Sequence, residues 1–330
     1  MADAQIVVRH LAKTYRTPER EAGLAAALKS LARPRYQAVE AVRDVSFTLA
    51  AGEMVGFIGP NGAGKTTTLK MLCGLLHPTA GEAKVLGSIP WERRPAYLRR
   101  ISMVLGNKSQ MLWDIPPLDT FRVLGEIYQV PAPEFRQTLD ELAGLLDLEP
   151  LLTRPVRNLS LGERMKCELV AGLLHRPDVM FLDEPTLGLD VSIQARLRHF
   201  LLEYNHRHQV TIILTSHYMA DVAALCPRII LIHQGRLLYD GELASLAQRL
   251  APFKLVRVSL GNGTGGQELA LPPEAEIIGR EDGQVVVRVG RAQAPALTAH
   301  LLNTLPVADL TVEDPPLEAV IDQIYQEGEL

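Results

Sequence analysis

Cysteine is scarce in this chain of 330 residues, with only Cys73, Cys167 and Cys226, and none stands in CxxC spacing or beside a pair of histidines. That pattern argues against a cysteine-built zinc site and against a disulfide framework, and it suits a reducing compartment. Positive charge is not in excess either. Lys and Arg total 34 against 38 Asp and Glu, a formal net charge of -4, so the balance is not that of a chain made to neutralise nucleic-acid phosphates, and no nucleic acid is expected as a partner. No apolar run approaches the ~20 residues that span a bilayer. The N-terminal MADAQIVVRH has no basic segment leading into an apolar stretch and a cleavage site, so a membrane role is expected to come through a partner. What the sequence has in quantity is apolar side chains, 47% of the total, enough at this length for one large core and a smaller second domain.

Gln5 to Arg16 alternates as a strand does, and a strand pattern resumes from Glu40 to Leu49. Between them, in Thr17 to Gln37, Leu24, Leu28 and Leu31 fall at i, i+4 and i+7 beside Lys29, Arg33 and Arg35, which predicts a short amphipathic helix with a basic edge. Two uses fit it: a surface helix covering its own domain, or one lying against a partner or membrane interface. After a turn at AAGE, Met54 to Ile58 is a buried-strand run. Similar runs at Val179–Leu182, Thr211–Leu214 and Ile229–Ile232 alternate with helical stretches, which predicts an α/β core with a mostly parallel sheet. Pro90 to Leu174 reads as a largely helical subdomain, about 90–175, inserted into that core. Beyond Asp240, strands at Lys254–Leu260, Gln284–Val289 and Ala308–Glu313 and helices at Ala292–Leu305 and Leu317–Gln326 predict a small α+β domain. The boundary is expected near Leu250, giving domains 1–250 and 251–330.

The string Gly59-Pro60-Asn61-Gly62-Ala63-Gly64-Lys65-Thr66-Thr67 fits GxxxxGK[ST] and follows an apolar strand and precedes a predicted helix, Thr67 to Leu76, which is the context the pattern requires. Glycines let successive N–H groups turn inward on phosphates, and a helix N-terminus adds its positive dipole end. Lys65 would reach the β- and γ-phosphates, and the Thr66 hydroxyl would ligate Mg²⁺. Further on, Val179-Met180-Phe181-Leu182 is a core strand ending in Asp183-Glu184. An acidic pair at a strand end can be a solvated turn. Set beside the loop at Lys65, Asp183 becomes the Mg²⁺ carboxylate and Glu184 the group that orients and deprotonates an attacking water.

Leu159-Ser160-Leu161-Gly162-Glu163, followed by the helical stretch Arg164 to Leu174, resembles the LSGGQ signature of ABC ATPases, as the whole of residues 5–240 resembles their nucleotide-binding domain. The resemblance implies a P-loop NTPase fold of the ABC type, with an inserted helical subdomain, and a small α+β domain after it. Leu161 stands where the family has glycine and Glu163 where it has glutamine. Ser160 and Gly162, which in that family contact the γ-phosphate held by the opposite protomer, are kept. A capping box from Ser160 to Glu163 is equally compatible with the segment. By the same resemblance Tyr15 is the aromatic that stacks on adenine, Asp190 in Leu187-Gly188-Leu189-Asp190 is the acid of the loop crossing the dimer interface, and His217 is the switch histidine at the γ-phosphate. The glutamine that links the Mg²⁺ site to a transmembrane partner is Gln110, with Asn107 as its rival. The NKSQ string they bracket approaches the guanine-reading NKxD but has Gln110 in place of aspartate.

Three function classes compete. A P-loop kinase or GTPase has no use for the signature or the switch histidine. A soluble ABC ATPase acting on ribosomes or DNA usually carries paired nucleotide domains, a long coiled coil or zinc-binding cysteines, none of which the sequence shows. The ATPase subunit of an ABC transporter remains: ATP and Mg²⁺ as cofactors, hydrolysis by a dimer, and a separate permease as partner at the cytoplasmic face of the membrane. DLTVEDPPLEAVIDQIYQ resembles the tails of ATPase subunits in type-2 exporters, and the Thr17–Gln37 insertion resembles those of sodium-extrusion and polysaccharide-export ATPases. The alternative for the tail is a regulatory ligand-binding domain.

Overall fold

The computed structural model describes residues 4–18, 36–106, 108–250, 252–260, 271–281 and 284–327. The amphipathic segment with Leu24, Leu28 and Leu31 lies outside the described residues, and so does Asn107. The chain forms two compact units, Met1–Gly241 and Glu242–Leu330.

In the first unit, β1 (Ala4–Pro18) and β2 (Tyr36–Ala50) pair antiparallel from Ala4↔Ala50 to Pro18↔Tyr36. Thr17, Pro18, Tyr36 and Gln37, expected in the inserted segment, are therefore the last rungs of this ladder. β3 (Met54–Ile58) is buried throughout and runs into the phosphate-type loop, and α1 (Lys65–Leu72) follows. The helix thus starts two residues before the expected Thr67 and stops before Leu76, because Gly74, with φ at 77°, turns the chain out of it. β4 (Ala80–Val85) completes a three-stranded sheet in the order β2-β1-β4.

After α2 (Pro95–Leu98) comes β5 (Ile101–Leu105), an edge strand of the main sheet. Pro90–Leu174 is accordingly not a continuous helical insertion: the helices that leave the core are α3 (Pro117–Tyr128), α4 (Ala132–Leu146) and α5 (Leu161–Leu173). α3 begins on Pro117 and α4 carries Pro133 as its second residue, positions where the missing N–H costs nothing in a first turn, and the two helices end on left-handed residues, Gln129 and Asp147. β6 (Val179–Asp183), α6 (Val191–His208), β7 (Thr211–Thr215), α7 (Met219–Leu225), β8 (Arg228–His233) and β9 (Arg236–Glu242) finish the unit.

The six-stranded sheet has the order β5-β6-β7-β3-β8-β9, with β5, β6, β7, β3 and β8 parallel. β3, β6 and β7 are buried at every position, as parallel strands covered on both faces must be. Phe57, Phe181, Ile213 and Ile230 join the core on one face of that sheet. Truncating Phe57 or Phe181 to Ala would cost about 3–5 kcal/mol through lost burial and the cavity left behind. Since β6, β7 and β3 are neighbours pointing the same way, their carboxyl ends bring three loops together, the place where open α/β sheets bind ligands.

In the second unit, α8 (Leu243–Leu250), β10 (Phe253–Leu260), β11 (Ala275–Glu281), β12 (Gln284–Gly290), α9 (Ala294–Thr304), β13 (Val307–Glu313) and α10 (Leu317–Glu327) follow in turn. The sheet is wholly antiparallel in the order β11-β12-β10-β13. Val256, Val258, Val285, Val287 and Val289 form its inner face against Leu297 and Leu301 of α9. The division falls at Gly241 rather than near Leu250, because α8 packs with α10.

Candidate functional site

At two of its glycines the loop of residues 59–64 has no room for a side chain. A Cβ on Gly59 would stand 2.3 Å from the Ile232 carbonyl oxygen, and one on Gly64, whose φ is 106°, 2.4 Å from that of Ala41. Gly62 also has positive φ, at 80°, but faces open space. The loop therefore nests between β2 and β8 and opens outward at Gly62.

Lys65, 6% exposed, rests its ammonium on the carbonyls of Gly59 and Pro60 at 2.6 and 3.1 Å. Burial pushes this ammonium below its usual range, while the charges of Glu184 and Asp183 act against that shift. Thr66 donates its hydroxyl to both Asp183 oxygens at 3.0 and 2.9 Å, and Thr215 donates to Oδ1 at 2.8 Å. Helix α1, strand β6 and strand β7 thus meet on one carboxylate that is 8% exposed. Two hard oxygens side by side, a hydroxyl and a carboxylate, suit Mg²⁺, which takes few protein ligands and fills its shell with water and phosphate oxygens.

Glu184 follows at φ 55°, a left-handed conformation that costs a residue with a Cβ about 1–2 kcal/mol. It is held there because its N–H bonds the carbonyl and the hydroxyl of Thr215, both at 3.1 Å, and because Gly106 lies against its carbonyl so closely that a Cβ there would stand 2.2 Å away. The turn swings the Glu184 carboxylate to His217, whose Nε2 lies 2.7 Å from Oε1. Lys65, Thr66, Asp183, Glu184 and His217, spread over 153 positions of sequence, stand at the ends of neighbouring elements.

Other expected residues are placed differently. Tyr15 lies on β1 opposite Val39, two residues from the Ala41 carbonyl that covers Gly64, with the Lys13 ammonium 5.4 Å from its ring centre. Ser160 is the N-cap of α5: its Oγ accepts from Glu163 N at 3.2 Å, and Glu163 Oε2 accepts from Ser160 N at 2.7 Å, a complete capping box. Gly162 packs under Ile193, where a Cβ would meet the Ile193 side chain at 2.2 Å. Asp190 caps α6, accepting from Ser192 Oγ at 2.6 Å and Ile193 N at 3.0 Å, and these bonds hold its carboxyl below the usual range. Thr67 takes its place in the first turn of α1.

Gln110 is held by other partners. Among the described residues no hydrogen bond joins it to Thr66 or Asp183. Its side-chain amide donates to the Met103 carbonyl at 3.3 Å. The reason is Glu168 on α5, whose buried carboxylate accepts from the N–H groups of Gln110 and Met111 and from the Ser109 hydroxyl, setting this segment down on α5. Sequence reasoning missed Thr215 and Asp221. Asp221 is 1% exposed and binds Thr186, Ser216 and Arg198. A polar residue closing the apolar run Ile212–Leu214 at the end of β7 was the signal available for Thr215.

Two family models match the chain: one described as ABC transporter over residues 42–187, and one described as EvrA-like ABC transporter, C-terminal domain, over residues 252–313. The chain is 35% identical over 212 residues to the ABC transporter ATP-binding protein NatA of Bacillus subtilis (strain 168), covering 64% of this chain and 86% of that protein. It is 35% identical over 217 residues to the Nod factor export ATP-binding protein I of Ralstonia nicotianae, covering 64% of this chain and 65% of that one. Its fold matches a dimeric structure of an ATP-binding cassette in a post-hydrolysis state with ADP and Pi, at TM-score 0.59 and 21% identity, over 72% of this chain and 98% of the other. With the family matched at its ATP-binding domain and with a relative matched over most of its length, this chain belongs to the ATP-binding proteins of ABC transporters and is an ATPase.

Proposed function

We propose that the chain is the nucleotide-hydrolysing subunit of a type-2 ABC exporter, in which two such subunits close on two MgATP and drive a separate transmembrane permease at the cytoplasmic face of the membrane. The observation that carries this reading is the convergence of Lys65, Thr66, Asp183, Glu184 and His217 around the loop of residues 59–64. On ATP binding, Lys65 exchanges the carbonyls of Gly59 and Pro60 for β- and γ-phosphate oxygens, and the N–H groups of residues 61–66 turn to the phosphates. Thr66 and Asp183 would hold Mg²⁺, which supplies positive charge against the phosphate oxygens. Glu184 takes a proton from the water whose oxygen attacks the γ-phosphorus as the bond to the β-phosphate oxygen breaks, leaving ADP and phosphate. His217 fixes the Glu184 carboxylate and donates toward the transferring group. Tyr15 offers its ring to the adenine.

Ser160 and Gly162 open α5, and a helix N-terminus with free N–H groups suits the γ-phosphate of the opposite subunit. Asp190 stands at the start of α6, against which Gly162 packs through Ile193. For the permease, support comes from a cleft of about 440 Å³ lined by Cys73, Arg93, Met103, Gln110, Ile127 and Tyr128, with Ile127 63% exposed. No helix among the described residues is long and apolar enough to cross a membrane. Export is favoured by the relative named for Nod factor export.

The test is Glu184→Gln. ATP binding should persist, turnover should fall at least about a hundredfold, and a closed dimer should accumulate with MgATP in size-exclusion chromatography. Wild-type turnover in that variant would remove Glu184 from its role. Co-purification with a multi-spanning membrane protein supports the transport assignment, and recovery of ribosomes in its place overturns it.

A further inference from the structure

The buried carboxylate of Asp221, on α7, takes no part in the chemistry above, yet it is tied to both loops that carry it. It accepts from the hydroxyl of Thr186, two residues after Glu184, and from the hydroxyl of Ser216, immediately before His217, at 3.2 Å. Its other oxygen is paired with Arg198 of α6 at 2.6 Å. Thr186 and Ser216 are themselves 2% exposed. The bonds run on outward. Gln194 of α6 donates to the carbonyls of Thr186 and Leu189 at 3.4 and 3.2 Å, and Ser216 Oγ accepts from Tyr218 N at 3.0 Å.

A charge so deeply buried is unfavourable unless matched, and it is matched here by one guanidinium and two hydroxyls. The choice of those hydroxyls is what matters. An ion pair that only fastened α7 to α6 would need Arg198 alone. Instead, one oxygen is shared between the β6–α6 loop and the β7–α7 loop, which have no common strand and whose catalytic side chains must meet at 2.7 Å. Glu184 is also held in a left-handed conformation that its own side chain does not favour, so its carboxylate keeps its direction only while the loop behind it is fixed.

We infer that Asp221, acting through Thr186 and Ser216, is a positioning residue that holds Glu184 and His217 in register for hydrolysis. This inference rests on the roles proposed for Glu184 and His217. It assigns Asp221 an effect on turnover and none on nucleotide affinity, since its contacts lie behind the loops and away from residues 59–66.

The experiment compares Asp221→Asn, Thr186→Val, Ser216→Ala and the double variant Thr186→Val/Ser216→Ala in the full-length protein, with turnover counted per bound nucleotide so that an unfolded fraction does not enter. Asp221→Asn should lower kcat on the order of ten- to a hundredfold, as misplacement of a catalytic group does, with the Kd for ATP and the KM within about twofold. Each single hydroxyl deletion should lower kcat less, the double variant should approach Asp221→Asn, and adding Asp221→Asn to it should cost little more, because all three act on one device. In histidine-labelled protein, the His217 ring resonance, identified by its loss in His217→Ala, should shift in the double variant. If Asp221→Asn does not fold, the double variant decides. Unchanged kcat per bound nucleotide with a lowered Tm would overturn the inference and leave Asp221 a purely structural ion pair. Glu184→Gln, measured alongside, separates the two failures: if it abolishes turnover and the Asp221 set does not, only the positioning role falls.

Discussion

The carboxyl end of β6 and the amino end of α5 both present polar groups where phosphate is expected, and they are built in opposite ways. At β6, the Asp183 carboxylate is held by hydroxyls 117 and 32 positions away in sequence, it is 8% exposed, and Gly106 is pressed against the turn that follows. At α5, Ser160 and Glu163 satisfy each other across three positions, and Leu161 between them is 42% exposed. The first end is fixed by tertiary contacts within one chain. The second is a self-sufficient helix cap that owes little to the rest of the fold. A site that finishes one half internally and leaves the other as an exposed, locally stable terminus is suited to completion by a second copy, since the exposed half keeps its shape before contact.

That contrast can be broken from the β6 side first, where the largest effect is expected. Asp183→Asn leaves the Thr66 and Thr215 hydroxyls a neutral amide in place of a carboxylate. Steady-state ATPase assays should show a loss of at least about a hundredfold, the scale seen when one preorganised electrostatic group is removed. Persistence of Mg²⁺-dependent turnover near the wild-type level would mean the carboxylate is structural. Next comes the loop itself. Gly64→Ala forces a Cβ against the Ala41 carbonyl at 2.4 Å in a left-handed conformation, a backbone clash that no rotamer relieves, and should cost about 3 kcal/mol in chemical denaturation together with nucleotide binding. Gly62→Ala, with positive φ but open space, should cost only about 1 kcal/mol. Equal effects at the two glycines would show that strain in φ, and not the close approach of β2, shapes the loop.

How far the sequence carried depends on the same division. The glycine-rich loop, the Asp183-Glu184 pair and the capping box at Ser160 are contiguous strings, and each forms where its spacing predicts. The wholly apolar runs of β3, β6, β7 and β8 are legible because parallel strands buried on both faces have no polar positions. β5 was absorbed into a helical reading because one short apolar run cannot be told from a buried helix segment by periodicity. β11 passed unnoticed as an edge strand with Ile278 half exposed and a register shift at Gly279. Gln110 is a different case. Its spacing fitted the expected motif, yet its backbone is captured by Glu168, 58 positions on, and no local pattern encodes that capture. Asp221 was invisible for the same cause: its two hydroxyl partners are set by the order of β6 and β7 in the sheet.

On the α5 side, Ser160→Asp separates the cap from the phosphate contact. Aspartate caps a helix as well as serine does, so the melting temperature should stay within about 2 °C of wild type, a shift worth well under 1 kcal/mol. It also sets a carboxylate where a γ-phosphate would approach, so turnover should fall roughly tenfold or more, the cost of a close like-charge contact. Unaltered turnover would mean that Ser160 serves its own helix alone.

The smallest effect is expected at Glu163. Hydrogen bonds from the Ser160 backbone hold its carboxyl below the usual carboxylate range, with Arg154 contributing at 3.8 Å. A carboxyl whose folded pKa is depressed adds stability that is present above its unfolded value, near 4.3, and is lost as pH falls through the folded one. Glu163→Gln keeps a residue able to complete the capping box and also restores the residue the family signature has there, so only the charge is removed. Because the side chain is 30% exposed, solvent screens the interaction, and the stability lost at pH 7 should be no more than about 0.5 kcal/mol. Urea titrations should show that difference shrinking as the pH is lowered below about 4. A difference that persists at pH 3 would show that Glu163 acts through packing and not through charge, and the α5 terminus would then depend on its surroundings as the β6 terminus does.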